Sequence, residues 1–246
     1  MRLYLTSDQF IETSEPIDIS MSLQASIENV RAWYVDPPRM EVVRANGFVG
    51  SIQEGGSVNF RDVFFNPHGH GTHTECCGHI TQEVYAVNEV LKEYFYRATL
   101  LTIQPIVLEN GDMVVKAEQL KEYLNKDYSE AIIIRTLPNK SAKKSKNYSG
   151  TNPCYFDVKI VELLNEYGVK HFLVDQPSVD REEDGGALAF HHAFWNVPEK
   201  PNFERTITEL IYVPTEVEDG NYILEIQMAA FQNDASPSRP VLYKLQ

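Results

Sequence analysis

The sequence predicts a mixed α/β domain rich in strands, and three observations carry that expectation. The runs RATLLTIQPIVLE (97–109) and EAIIIRTL (130–137) are dominated by β-branched and apolar residues, as strands buried on both faces are. The stretch YFDVKIVELLNEYGVK (155–170) has the apolar spacing of an amphipathic helix and closes on Gly168. The strand HFLVDQPSVD (171–180) follows it, giving a strand, helix, strand unit. No internal repeat, heptad pattern or long low-complexity tract points elsewhere. With 246 residues, 43% of them hydrophobic, the chain can bury one large core and reads as a single domain over 1–246.

The elements follow in chain order. PIDISMSL (16–23) alternates apolar and polar residues as a half-buried strand does. Trp33 and Tyr34 precede a proline-rich turn, VDPPRMEVV (35–43), an excursion over the surface. AEQLKEYLN (117–125) places Leu120 and Leu124 on one helical face. PNKSAKKSKNYSGTNP (138–153) is nearly devoid of apolar residues and reads as a long solvated loop, with an active-site lid as its functional alternative. RTITELIYVP (205–214) and NYILEIQMAAF (221–231) alternate as strands, and EVEDG between them suggests that they pair as a hairpin.

Composition narrows the function. A net charge of -13 repels a phosphate backbone and argues against nucleic acid as a partner. No apolar run approaches the roughly 18 residues of a membrane span, and MRLYLTSDQF lacks the features of a secretion signal. The expected setting is therefore the cytoplasm, without a membrane partner. The three cysteines, Cys76, Cys77 and Cys154, are odd in number and two are adjacent, so a disulfide framework is not expected.

The chemistry is concentrated in HGHGTHTECCGH (68–79), which holds four of the seven histidines. In an extended chain His73, Glu75, Cys77 and His79 project to one face, about 6.6 Å apart along it. Imidazole and carboxylate are the usual ligands of Zn²⁺ and also suit Mn²⁺ and Fe²⁺. His73 and Glu75 meet that demand, and the flanking glycines let the chain turn so that His68 or His70 reaches the same point. A polar turn with ordinary hydrogen bonds is the bland alternative. It would leave many titratable groups on one face without a partner to justify their burial. A catalytic zinc site leaves one position for water, whose pKa falls to about 7. Further ligands or their partners are expected from the His191 and His192 pair in LAFHHAFW and from Glu209 in TITEL, although Glu209 could instead pair with Arg205. Asp175 and Asp180 flank the proline turn that ends a buried strand, where they could bind substrate or cap the next element.

These residues resemble the cyclase or bacterial kynurenine formamidase family of metal-dependent hydrolases, whose signature is HxGTHxDxPxH. Residues 69–79 read GHGTHTECCGH and keep Gly71, Thr72, His73 and His79 in register. PIDIS resembles the family's opening strand, VDQPSVD its D-x-P-S-x-D turn, HHAFW its downstream histidine motif, and NDASPSRPVLY (233–243) its closing strand. The resemblance implies a cyclase-like swivelling β/β/α fold that forms homodimers or homotetramers. It implies His73 as a metal ligand, Glu75 in place of the usual aspartate, and His79 as general acid and base. His191 and Glu209 would complete the site. Gly69 stands where the family has its first ligating histidine, with His68 and His70 on either side. Cys77 replaces the proline, and a cysteine there could ionise and ligate.

The expected activity is hydrolysis of a C–N amide or cyclic amide bond in a small aromatic substrate, arylformamidase-like, by attack of hydroxide on a divalent metal, zinc first, manganese or iron next. Trp33, Tyr34 and Asp180 are the candidate substrate contacts. Lactone hydrolysis or a dehydrating cyclisation uses similar parts. Two rival readings are a cysteine nucleophile at Cys76 or Cys77 and a catalytically silent metal-binding protein.

Overall fold

In the computed structural model, which describes residues 1–246, eight strands form one mixed sheet. They are β1 (Ile17–Asp18), β2 (His73–Glu75), β3 (Phe95–Ile103), β4 (Ala131–Thr136), β5 (His171–Val174), β6 (Thr206–Glu209), β7 (Gly220–Met228) and β8 (Ala235–Lys244). Their order is β7-β3-β4-β5-β6-β2-β8-β1, and pairing of β7 with β8 closes seven of them into a barrel-like ring. Strands β3, β4, β5 and β6 run parallel, and β2 lies antiparallel between β6 and β8.

Alternation along the strands gives the ring two apolar faces. Ala98, Leu100, Ile133, Leu173, Leu224 and Leu242 fill its interior. Ile132, Ile134, Phe172, Val174 and Ile207 point outward, beneath the helices α1 (Ile160–Tyr167) and α2 (Ala189–Trp195). Phe172, Phe190 and Phe194 are fully buried in that outer layer, each contributing about 1.5–3 kcal/mol by leaving water. The strands buried on both faces are the apolar runs expected from sequence. The parallel β4-α1-β5 unit is the expected strand, helix, strand element. Helix α1 starts at Ile160 because Tyr155–Phe156 pair with Val114–Val115 as a short strand. It ends on Gly168, whose φ of 72° supports the reversed hydrogen bond from Val169 N–H to Leu164 O.

Several expected elements differ. Only Ile17–Asp18 of 16–23 is strand, because Ser20 turns back on Asp18 through two hydrogen bonds to its carboxylate. The 97–109 run breaks after Ile103, and Ile106–Val107 joins a separate small sheet. Residues 117–125 form no α-helix; a single 3₁₀ turn, Ala117–Gln119, buries Leu120 and Leu124. The hairpin of 205–214 with 221–231 is incorrect. β6 pairs with β5 and β2, whereas β7 pairs with β3 and β8. Alternation identified both strands but carried no information on their partners. The connecting Asp219 is held instead by Thr102 and Arg135 at the ends of β3 and β4. The loop 138–153 is largely exposed as expected, yet it is pinned to the Trp33 segment. Tyr148 N–H donates to Arg31 O and Tyr34 N–H to Ser149 Oγ.

Candidate metal centre

The register of three strands assembles the site. Glu209 lies opposite His73, and Ile207 opposite Glu75, so His73, Glu75 and Glu209 share the outer, helix-facing side of the ring. Thr74 faces the interior, where its hydroxyl meets that of Thr208 at 2.8 Å. Entry to β2 is fixed by Thr72, whose hydroxyl accepts from Met21 N–H and donates to Leu210 O.

The alternation expected from His73 to His79 holds only as far as Glu75. A 3₁₀ turn follows at Cys77–His79, which drives Cys77 into the apolar layer under the helices and carries His79 back over Glu75. Its Nε2 lies 4.0 Å from Glu75 Oε2. Gly78 permits this turn, since a Cβ there would sit 2.1 Å from Tyr85 O.

Of the two histidines flanking Gly69, the structure brings one to the cluster. His68 Nδ1 is 3.0 Å from Glu75 Oε2, and its Nε2 is 2.8 Å from Asp234 Oδ2. His70 turns away. Its Nδ1 accepts from Asn66 N–H at 2.7 Å and its Nε2 donates to Asp36 O at 2.7 Å, and burial pushes its pKa down in keeping with a neutral ring. Gly69 itself packs on Val35. A Cβ at 69 would come within 2.8 Å of a Val35 methyl, so a histidine there has no room in this loop path.

Helix α2 supplies His191, whose Nε2 lies 3.1 Å from Glu75 Oε1 and 3.9 Å from Glu209 Oε1. Behind it Asp180 accepts from His191 Nδ1 at 2.6 Å, and from the backbone N–H groups of Phe190 and His191 at 2.8 and 3.1 Å. Asp180 thus anchors the helix and its histidine, away from the cavity. His73 Nδ1 donates to Gly71 O at 2.9 Å, leaving Nε2 aimed at Glu209 Oε2, 3.4 Å away. Two triads result, His68–Glu75–His79 and His73–Glu75–Glu209, each with potential ligand atoms within 4.8 Å of one another and with Glu75 in common.

The electrostatics suit a cation. Burial opposes charge on His68 and His191, but Asp234 and Glu75 on one, and Asp180 and Glu75 on the other, push both imidazoles up to about 10. Burial likewise raises Glu75, yet His79, His191 and His68 outweigh it and hold its carboxyl well below the usual range. Burial and the charge of Glu75 raise Glu209. His73 Nε2 is fully buried, makes no hydrogen bond and faces a carboxylate. A buried nitrogen lone pair among carboxylates is what a divalent cation satisfies, and the N and O donor set matches Zn²⁺, Mn²⁺ or Fe²⁺.

A cavity of about 310 Å³ opens beside the cluster, lined by Trp33, Asn66, His68, His79, Ser178, Leu188, His191 and Glu209. Trp33 and Leu188 hold left-handed backbone conformations, at φ 60° and 41°, the kind of strain that collects at functional sites. Tyr34 is 71% exposed and lies outside this lining. A larger cavity of about 580 Å³ lies against Lys140, Lys143 and Lys146 but contains none of the cluster residues. Cys76 and Cys77 are fully buried; Cys76 Sγ donates to Tyr85 O, and neither thiol is hydrogen-bonded to a histidine. The neighbouring Cys77 thiol, and then burial, push the Cys76 thiol far up. The residues that sequence reasoning missed are Asp234, Asn66, Ser178 and Leu188. Asp234 lay within the matched NDASPSRP stretch, Ser178 within the matched VDQPSVD turn and Leu188 within LAFHHAFW, whereas Asn66 left no signal because loop geometry alone brings it to the cavity.

Fold and cluster together define a seven-stranded barrel-like α/β scaffold with an acid and imidazole centre on its outer face. The chain belongs to the Cyclase family, whose model matches residues 17–181. It is 28% identical over 234 residues to a kynurenine formamidase of Bacillus anthracis, covering 94% of this chain and 99% of that one. A kynurenine formamidase of Bacillus cytotoxicus is 26% identical, covering 96% and 100%. Among solved structures, isatin hydrolase A from Ralstonia solanacearum superposes with a TM-score of 0.66 at 14% identity, over 94% of this chain and 91% of that one. A structure described as a potential metal-dependent hydrolase with cyclase activity gives 0.65 at 13%, over 93% and 97%. These two show a shared fold.

Proposed function

We propose that the protein is a metal-dependent amidohydrolase that cleaves a C–N amide or cyclic amide bond in a small aromatic substrate, with an arylformamidase-like reaction foremost. The observation that carries this reading is the pair of triads sharing Glu75 beside a cavity that Trp33 lines. It is supported by the names of the relatives and structural neighbours, kynurenine formamidase and isatin hydrolase.

His68, His73, Glu75, His191 and Glu209 would hold a divalent cation, zinc in the first instance. Bound there, it would lower the pKa of water and stabilise charge on the substrate carbonyl. The chain's own residues supply the rest. His79 lines the cavity, its Nδ1 tied to Asp234 and its Nε2 4.0 Å from Glu75 Oε2, and would take the proton of the attacking water and return it to the leaving nitrogen. Trp33 offers a flat wall for an aromatic ring. Leu188 and Ser178 narrow the cavity, whose volume fits a substrate of one or two rings. The protein would act as a homodimer or homotetramer. Phe48, Phe60 and Phe64, exposed on the arm between residues 39 and 64, are in keeping with such a contact.

The test is turnover of N-formyl aromatic amines by protein loaded with Zn²⁺ or Mn²⁺, with and without chelator, beside His73→Ala and His79→Ala. The reading expects chelation and His73→Ala to abolish turnover, and His79→Ala to retain cation while losing at least about 100-fold in kcat. Full turnover in excess chelator would overturn it.

A further inference from the structure

We propose that Asp234 is a positioning residue: its single oxygen Oδ2 accepts from His68 Nε2 and His79 Nδ1 together, and so presents His68 Nδ1 and His79 Nε2 to Glu75. The inference rests on the metal-dependent reading above.

The geometry is specific. Oδ2 lies 2.8 Å from His68 Nε2 and 3.3 Å from His79 Nδ1. The two rings stack with centroids 4.3 Å apart and planes 29° apart. The nitrogens left over, His68 Nδ1 and His79 Nε2, then point at the same oxygen, Glu75 Oε2, at 3.0 and 4.0 Å. Asp234 is the only hydrogen-bond partner of the His79 ring. Its position is set by the sheet: Ala235 pairs with Glu75 at the start of β8, and Cys76 N–H donates to Asp234 O at 3.1 Å. The same strand contact that places Glu75 therefore places the carboxylate that aims both imidazoles at it.

A carboxylate behind a ligating imidazole fixes its tautomer and ring angle, and losing it costs about 10–100-fold in metal affinity. Here one carboxylate serves two rings, one a candidate ligand and the other the candidate proton carrier. Because the acceptor is one oxygen, an amide oxygen can take its place. Asp234→Asn should therefore keep most of the function, whereas Asp234→Ala should not.

The experiment measures Zn²⁺ affinity by competition with a chromophoric chelator for wild type, Asp234→Ala and Asp234→Asn. Histidine ¹⁵N spectra of the Zn²⁺-loaded proteins are recorded alongside. We expect Asp234→Ala to lose about 10–100-fold in affinity and to lose the Nδ1–H signal of His79, while Asp234→Asn stays within a few-fold of wild type and keeps it. Should Asp234→Ala not fold, Asp234→Asn carries the test through its ¹⁵N spectrum. Asp234→Ala with wild-type affinity and an unchanged spectrum would overturn the proposal, as would a His79 proton on Nε2 in wild type or an inability of wild type to bind Zn²⁺. Failure of the amidohydrolase reading looks different: wild type would bind Zn²⁺ and respond to Asp234→Ala yet hydrolyse no formyl amide.

Discussion

Asp180→Ala removes a side chain that performs two tasks at once, and its cost can be worked from the contacts. Asp180 is 8% exposed and accepts from two backbone N–H groups at the start of α2, a capping role worth about 1–2 kcal/mol. It also accepts from His191 Nδ1 at 2.6 Å, a charge-assisted bond whose loss costs about 1.5–3 kcal/mol. Together these give about 2.5–5 kcal/mol, which spans the range found when one partner of a buried ion pair is deleted. For a chain of this size that is a fall in Tm on the order of 10 °C. Urea unfolding in the presence of chelator measures the effect without any contribution from bound cation. Asp180→Asn keeps an acceptor for the helix but loses the charge, and should fall between wild type and alanine. An Asp180→Ala cost below about 1 kcal/mol would refute the reasoning, because it would mean that neither the helix terminus nor His191 depends on this carboxylate.

Three further outcomes follow from the same geometry. Gly69→His should destabilise the protein through collision with Val35 and should not raise cation affinity; a tighter site measured by chelator competition would contradict the loop path. Cation uptake near pH 8 should release about two protons, one each from His68 and His191, since neighbouring carboxylates hold both rings protonated to about 10 in the metal-free protein. Calorimetry in buffers of different ionisation enthalpy counts them, and zero release would be inconsistent. His171, buried in the barrel against Thr206 and the Tyr96 ring, is pushed down to about 3, chiefly by burial and also by Lys170. Its folded value lies below the unfolded one near 6.5, so its stabilising effect is complete above that pH and declines as pH falls toward 3. From this group the protein should lose about 2 kcal/mol between pH 6.5 and 5, and His171→Gln should flatten that slope in pH-dependent urea titrations.

What could be seen in the sequence and what could not divides along physical lines. The parallel strands of the ring were visible in 97–103, 131–136 and 171–174 because strands buried on both faces are rich in consecutive apolar residues rather than alternating ones. Helix α1 was visible because its stripe and its terminal glycine are local signals. Partner choice was not local. Nothing within 205–231 says that β6 belongs beside β5, since that pairing depends on the crossover that precedes it. In the site, His73 and Glu75 were legible as alternating residues of one strand. His79 reaches the cluster through a turn that Gly78 allows, which strict alternation does not describe. His68 and His70 are chemically identical and two residues apart, and only the packing of Gly69 on Val35 and the bonds from His70 to Asn66 and Asp36 distinguish them. Asp234 comes from the far end of the chain, and the antiparallel register of β2 with β8 alone makes it a neighbour of Glu75.

The most direct test of the central claim is the zinc content of wild type, His73→Ala and His70→Ala after equilibrium dialysis against buffered Zn²⁺. The account predicts at least one equivalent in wild type and in His70→Ala, and loss of bound zinc in His73→Ala, whose buried nitrogen faces Glu209. Zinc retained by His73→Ala but lost from His70→Ala, or substoichiometric zinc in all three, would contradict it.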